Sequence, residues 1–141
     1  MQVVILVQVD KPGMRRKRNE IAIFKVGDKW VFKHYFEDAE TFKELAEYYD
    51  KDHYRFILKT LGERNKILKL LKKRGFDAEI LESTKGHAVK LGKYKRYASM
   101  LKNSLAHIET SEWHIFLMKD RDSVDDALRH GAKLLEVEVK F

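Results

Sequence analysis

The run Val3-Val4-Ile5-Leu6-Val7 constrains the fold more than any other stretch of this chain. It offers no polar position to solvent and is mostly β-branched, which is how a strand buried on both faces reads. Such a strand sits centrally in a sheet with a layer on each side, so the expected class is α/β.

The residues that follow fill in that sheet. Ile21–Val26 and Trp30–Phe36 read as strands by their β-branched and aromatic content. Gly27-Asp28 joins them as a tight hairpin turn. With the first strand they make an N-terminal three-stranded antiparallel meander. Helical spacing then takes over: Ala39, Phe42, Leu45, Ala46 and Tyr49, with Asp38 as N-cap and Glu40 in the first turn. Tyr54, Ile57, Leu58 and Leu61 share one face of a second helical segment, and Ile67, Leu68 and Leu71 one face of a third, Arg64 to Arg74, which Gly75 stops. Helix, glycine and the apolar run Ala78 to Glu82 form the return half of a crossover, so that strand is expected parallel to the first. Tyr94, Tyr97, Leu101, Leu105 and Ile108 fall on one side at 100° per residue, with Lys95, Arg96, Ser99, Lys102 and Asn103 opposite. The spacing predicts an amphipathic helix whose tyrosines serve the core. Trp113 to Met118 reads as a strand, Ser123 as the cap of a last helix, and Gly131 as its end. Leu135, Val137, Val139 and Phe141 alternate with Glu136, Glu138 and Lys140, the pattern of a half-exposed edge strand. The whole is expected to be one α/β domain over residues 1–141: a mixed sheet opening with the meander and continued by helix–strand crossovers. No internal repeat is visible.

Function enters with charge. Lys and Arg number 29 against 22 Asp and Glu, a net charge of +7. The excess is concentrated. Residues 1–36 hold 8 basic and 3 acidic residues, and 63–108 hold 12 and 4, while 37–62 and 109–141 are each net −3. Two basic loops carry the signal. Lys11, Arg15, Arg16, Lys17 and Arg18 lie between Asp10 and Glu20 with no acid among them. From Ser83 to Ile108 stand Lys85, Lys90, Lys93, Lys95, Arg96 and Lys102, again with no acid. Clustered charge of this kind points to DNA or RNA held by its phosphates, with Arg15, Arg16, Lys17, Arg18, Lys85, His87, Lys93, Lys95 and Arg96 as candidate contacts. Lys/Glu enrichment with few Asn and Gln and no Cys is also the hyperthermophile pattern, so part of the charge can serve stability.

Other chemistries are disfavoured. Without cysteine there is no disulfide and no thiolate metal site. His107, Glu109, Glu112 and His114 match no zinc spacing. Thr84-Lys85-Gly86-His87 lacks the full phosphate-loop pattern, and no dinucleotide fingerprint or serine-elbow motif occurs. No cofactor is expected. No apolar run reaches the ~18 residues of a membrane helix and no secretory leader pattern is seen, so no membrane association and a cytoplasmic location are expected.

Three antiparallel strands followed by crossovers resembles the ribonuclease H-like fold in element order. Val-Gln-Val-Asp10-Lys-Pro-Gly is similar to the acidic end of the first strand of RuvC-type resolvases, and Asp122-Ser-Val-Asp125-Asp126-Ala-Leu to their acidic final helix. The resemblance implies a nuclease as an alternative function, with Asp10, Glu82 and Asp125 (or Asp126) holding Mg²⁺. A third reading is an assembly subunit whose alternating C-terminal strand pairs with a second copy or another protein.

Overall fold

β1 (Glu20–Val26) alternates so that Ile21 and Ile23 point to one side of its sheet and Ala22, Phe24 and Val26 to the other, with both sides apolar. The computed structural model describes residues 19–141. The strand expected over residues 3–9 lies outside them. Gly27, at φ +65°, makes the hairpin turn to β2 (Lys29–Phe32), a conformation glycine adopts without strain. Asp38 caps α1 (Ala39–Leu45) by accepting from the Glu40 backbone N–H. A 3₁₀ turn (Ala46–Tyr48) leads to β3 (Tyr49–Asp50) and β4 (Arg55–Leu58). Thr60 caps α2 (Leu61–Lys73), Glu63 reaches back to the Lys59 N–H, and Gly75 at φ +91° ends the helix. β5 (Asp77–Leu81) returns parallel to β1.

The expected helix over 94–108 is replaced by other elements. β6 (Ala88–Gly92) is followed by a turn, a five-residue helix α3 (Ala98–Lys102) and β7 (Ser104–Glu109). Asn103 and Ser104 donate side-chain hydrogen bonds to the carbonyls of Ser99 and Leu101 and close the helix. β8 (Trp113–Met118) and α4 (Arg121–Arg129) follow, with Asp120 rather than Ser123 as the cap. The segment around Ile57 is likewise strand β4, not helix. β9 is only Lys133–Leu134, so the C-terminal alternation does not continue as a strand. Instead the Glu138 carboxylate accepts from Ser83 and Thr84, Val139 bonds Thr84 Oγ1 through both its N–H and its C=O, and Phe141 packs into the interior.

The protein is mixed α/β, with two sheets among the described residues. Sheet one has the order β3-β4-β2-β1-β5 and is mixed; sheet two is β7-β8-β6-β9 and antiparallel throughout. Among the described residues a second sheet thus stands where one continuous mixed sheet was expected, and the ribonuclease H-like order, which began with the strand over 3–9, has no described counterpart. The two halves follow one path. β2-α1-β3-β4-α2-β5 and β6-α3-β7-β8-α4-β9 each trace strand–helix–strand–strand–helix–strand, the split βαβ or ferredoxin-like order. The first half differs by β1, inserted between β2 and β5. The repeat is one of topology and leaves no trace in residue spacing.

Packing makes four layers. Ile67 and Leu71 of α2 and Leu45 of α1 cover one face of sheet one, over Ile21, Ile23, Trp30, Phe32, Phe56 and Leu58. Its other face meets sheet two through Phe24, Val31, Leu105 and Leu117. Met100 of α3 and Val124 and Ala127 of α4 close the far side of sheet two over Val89, Leu91, Phe116 and Met118. Each sheet is therefore covered on both faces. Among the described residues no helix is long and apolar enough to cross a membrane.

Candidate functional site

Strand β6 sorts the expected phosphate contacts into two groups. Lys85 and His87 precede it, and Lys93, Lys95 and Arg96 follow it. Its five residues, at about 3.3 Å each, place the groups roughly 16 Å apart. The second group forms a turn held by its backbone: the Lys93 N–H donates to Glu112 O (3.0 Å) and the Lys95 N–H to Gly92 O (3.1 Å). Lys93 Nζ pairs with Glu109 at 3.4 Å. Lys95 and Arg96 are exposed, and among the described residues no carboxylate pairs with either. Tyr94, expected in the core, is 95% exposed between these cations. On the strand behind, Lys90 Nζ lies 4.4 Å from the ring centre of Trp113, which is paired with Gly92.

Tyr97 does serve the interior. Its ring lies 4.1 Å from that of the buried His114. His114 Nε2 is 3.1 Å from Lys93 O, which can only accept, so Nε2 carries the proton. In the neutral pair His114 Nδ1 then accepts from His107 Nε2, at 2.9 Å. These two imidazoles, with Tyr97 and Phe116, brace the basic turn from below. Burial pushes the His107 pKa down, the neighbouring His114 adds to this, and Glu109 opposes it.

A second feature had no signal in the sequence. A cleft of about 730 Å³ opens where β1, the link after β2, β5 and the start of α4 meet. His34 and His87 line it, together with Lys119, Asp120 and Arg121. His34 packs on Phe36 and Phe76, and His87 sits edge-on to Phe24. Burial lowers both imidazole pKa values; Asp120 acts on each in the opposite sense without overcoming it. His87 Nδ1 is shielded from solvent with no well-aligned hydrogen bond, and the Lys85 backbone opposes the effect of burial without overcoming it. Burial pushes Asp120 up, but Lys119 at 3.0 Å and the hydrogen bonds with Ser123 outweigh it and hold the carboxyl below its usual range. Lys33, behind the same loops, falls to about 8 through burial and the nearby Lys119 and Arg55, and its Nζ donates to Lys102 O. Spacing could not reveal this set, because its members come from three separated segments: the link after β2, the link before β6 and the start of α4.

Of the expected carboxylates, Asp10 lies outside the described residues, as do Arg15, Arg16, Lys17 and Arg18. Glu82 is exposed in the link after β5, and Asp125 is on the exposed side of α4. Neither lines the cleft. Among the described residues, no group of three or more His, Cys, Asp or Glu side chains is placed to hold a metal ion. A third basic surface is a shallow groove beside α2, lined by Lys66, Lys69 and Lys73 with Glu44.

The lowered histidines make a stability prediction. His34, His87 and His107 each bind fewer protons folded than unfolded around their ordinary value of 6.5. Their contribution is complete above that value and is lost as pH falls through the lowered ones. The thermal midpoint should therefore decline between about pH 7 and 5, ahead of the carboxylates, which titrate nearer 4. His87→Asn should make the decline shallower. A midpoint constant over that interval would show that the imidazoles are not held neutral.

Comparison of the chain with protein-family models, with curated proteins and with solved structures returns no match.

Proposed function

We propose that the protein binds DNA or RNA through the phosphate backbone, using the turn of Lys93, Lys95 and Arg96 as one contact and the run Arg15, Arg16, Lys17 and Arg18 as another. The observation that carries this reading is the turn itself, a rigidly anchored loop that presents exposed cations to solvent. Guanidinium and ammonium groups so presented can neutralise phosphates, the guanidinium in bidentate fashion. Lys85, in the link before β6, is also exposed and offers a further cation. With both faces of each sheet covered by apolar packing, a flat sheet platform is not free for bases, and loops and helix surfaces are left for this work.

The test is a salt titration. Log K against log salt should fall linearly, by about 0.9 per phosphate contacted on duplex DNA and about 0.7 on a single strand. Affinity that does not change between about 50 and 200 mM salt would remove phosphate binding as the function.

A further inference from the structure

We infer that the turn after β6 takes single-stranded nucleic acid, with one unpaired base stacked on Tyr94; this rests on the phosphate-binding reading above. A lone exposed aromatic is ordinary on a protein surface and by itself says nothing. Tyr94 differs in its setting. It projects at 95% exposure, its immediate neighbours in sequence are Lys93 and Lys95, and Arg96 follows. The loop that carries it is fixed at both ends: Lys93 and Lys95 are tied by their backbones, and the Tyr97 ring packs against His114. The ring is thus presented from a rigid base while Lys95 and Arg96 beside it remain available.

That arrangement matches a single strand and not a duplex. A nucleotide offers a π-face and a phosphate on a short, flexible tether. An aromatic ring flanked by cations can take the base on its face and the adjoining phosphates on either side. In a duplex both faces of every base are stacked, and a ring on a surface turn reaches only the backbone. Stacking is tolerant of sequence because every base has a face, so little base preference is expected. Trp113 does not supply a second platform of this kind, since Lys90 already stands over its ring.

The experiment measures binding of a fluorescent oligothymidine and an oligouridine of about 12 nucleotides, within the usual range of single-strand site sizes, and of a duplex of equal length. The proteins are the full chain and its Tyr94→Ala, Tyr94→Phe and Arg96→Ala variants. Tyr94→Ala should bind both single strands about 5- to 150-fold more weakly, the range for losing one base–aromatic stack, and should bind duplex as the wild type does. Tyr94→Phe keeps the ring and should behave as the wild type. Because Tyr94 is exposed, an unchanged thermal midpoint will confirm that each variant is folded. If Tyr94→Ala binds single strands normally while Arg96→Ala is weakened, the stacking inference falls and phosphate binding stands. Preference for duplex over single strand in the wild type would likewise overturn it. If no nucleic acid binds at low salt, the phosphate reading fails first and this inference with it, and the turn is then a contact for something other than nucleic acid.

Discussion

Phe56→Ala is expected to lower the unfolding free energy by about 3–5 kcal/mol, the cost of emptying a filled aromatic site. Phe56 is 2% exposed and is the hub of the core between sheet one and its helices. Its ring stacks on Phe32 at 5.0 Å and meets Phe36, Phe42 and Tyr49 edge-on at 5.7, 6.0 and 5.2 Å. Four rings cannot all shift to refill one gap, so much of the cavity should persist. A natural domain has only about 5–15 kcal/mol in total, so the loss should be visible as a large drop in thermal midpoint. The two tryptophans make the result more informative. Trp30 reports on sheet one and Trp113 on sheet two. Phe24 and Val31 of one sheet pack on Leu105 and Leu117 of the other, so the halves should unfold together. Phe56 lies in the first half only, yet both tryptophan signals should move to the same lower temperature. Trp30→Phe and Trp113→Phe backgrounds separate the two readings. A Trp113 transition left at the wild-type temperature would show that the halves are independent folding units.

What could be read from the sequence follows the strength of local signals. The β1–β2 hairpin was legible because Gly27 sits between two β-rich runs and takes the positive φ that the turn requires. α1 and α2 were legible from spacing and caps, Asp38 at one start and Gly75 at the other end. The β4 segment reads as helix in the sequence because Tyr54, Ile57, Leu58 and Leu61 fit the helical period. A short apolar run buried on both faces satisfies that period as well as a strand does. Phe56 and Leu58 face α2 while Ile57 faces sheet two, so the burial comes from tertiary neighbours. The larger difference between sequence pattern and structure is over 83–108. Ala88–Gly92 follows Gly86, ends on Gly92 and looks like loop, while Tyr94 to Ile108 mimics a helix stripe. Read so, the strand count lacks β6 and β7, and β8 is left without its two partners in sheet two. The same false periodicity turns Tyr94 toward the core, whereas it is 95% exposed. The basic charge of the turn needed no fold to be noticed; its separation from Lys85 and His87, and the exposure of the ring within it, did. His34, Lys119 and Asp120 carry no local pattern and become a group only when the two halves pack.

The triple variant Lys93→Ala, Lys95→Ala, Arg96→Ala should weaken binding of a single strand on the order of 100-fold at 0.1 M salt. Each phosphate contact on a single strand contributes about 0.7 to the slope of log K against log salt, so three should flatten it by about 2. Relative to 1 M salt the same three contacts are then worth about two decades at 0.1 M. The contributions should be unequal. Lys93 already holds Glu109 at 3.4 Å and would have to leave or share that pair, whereas Lys95 and Arg96 have no described carboxylate partner to give up. Arg96→Ala and Lys95→Ala should therefore each cost more than Lys93→Ala, and Glu109→Gln should strengthen binding slightly by releasing Lys93. Lys85→Ala, roughly 16 Å away along β6, tests whether the strand of nucleic acid continues past the turn. If it does, the slope falls by about one further contact; if the strand leaves the surface at Tyr94, Lys85→Ala changes nothing. A triple variant with an undiminished slope would remove the turn from the interface altogether. The Lys66, Lys69 and Lys73 groove beside α2 would then be the next described surface able to carry the phosphates.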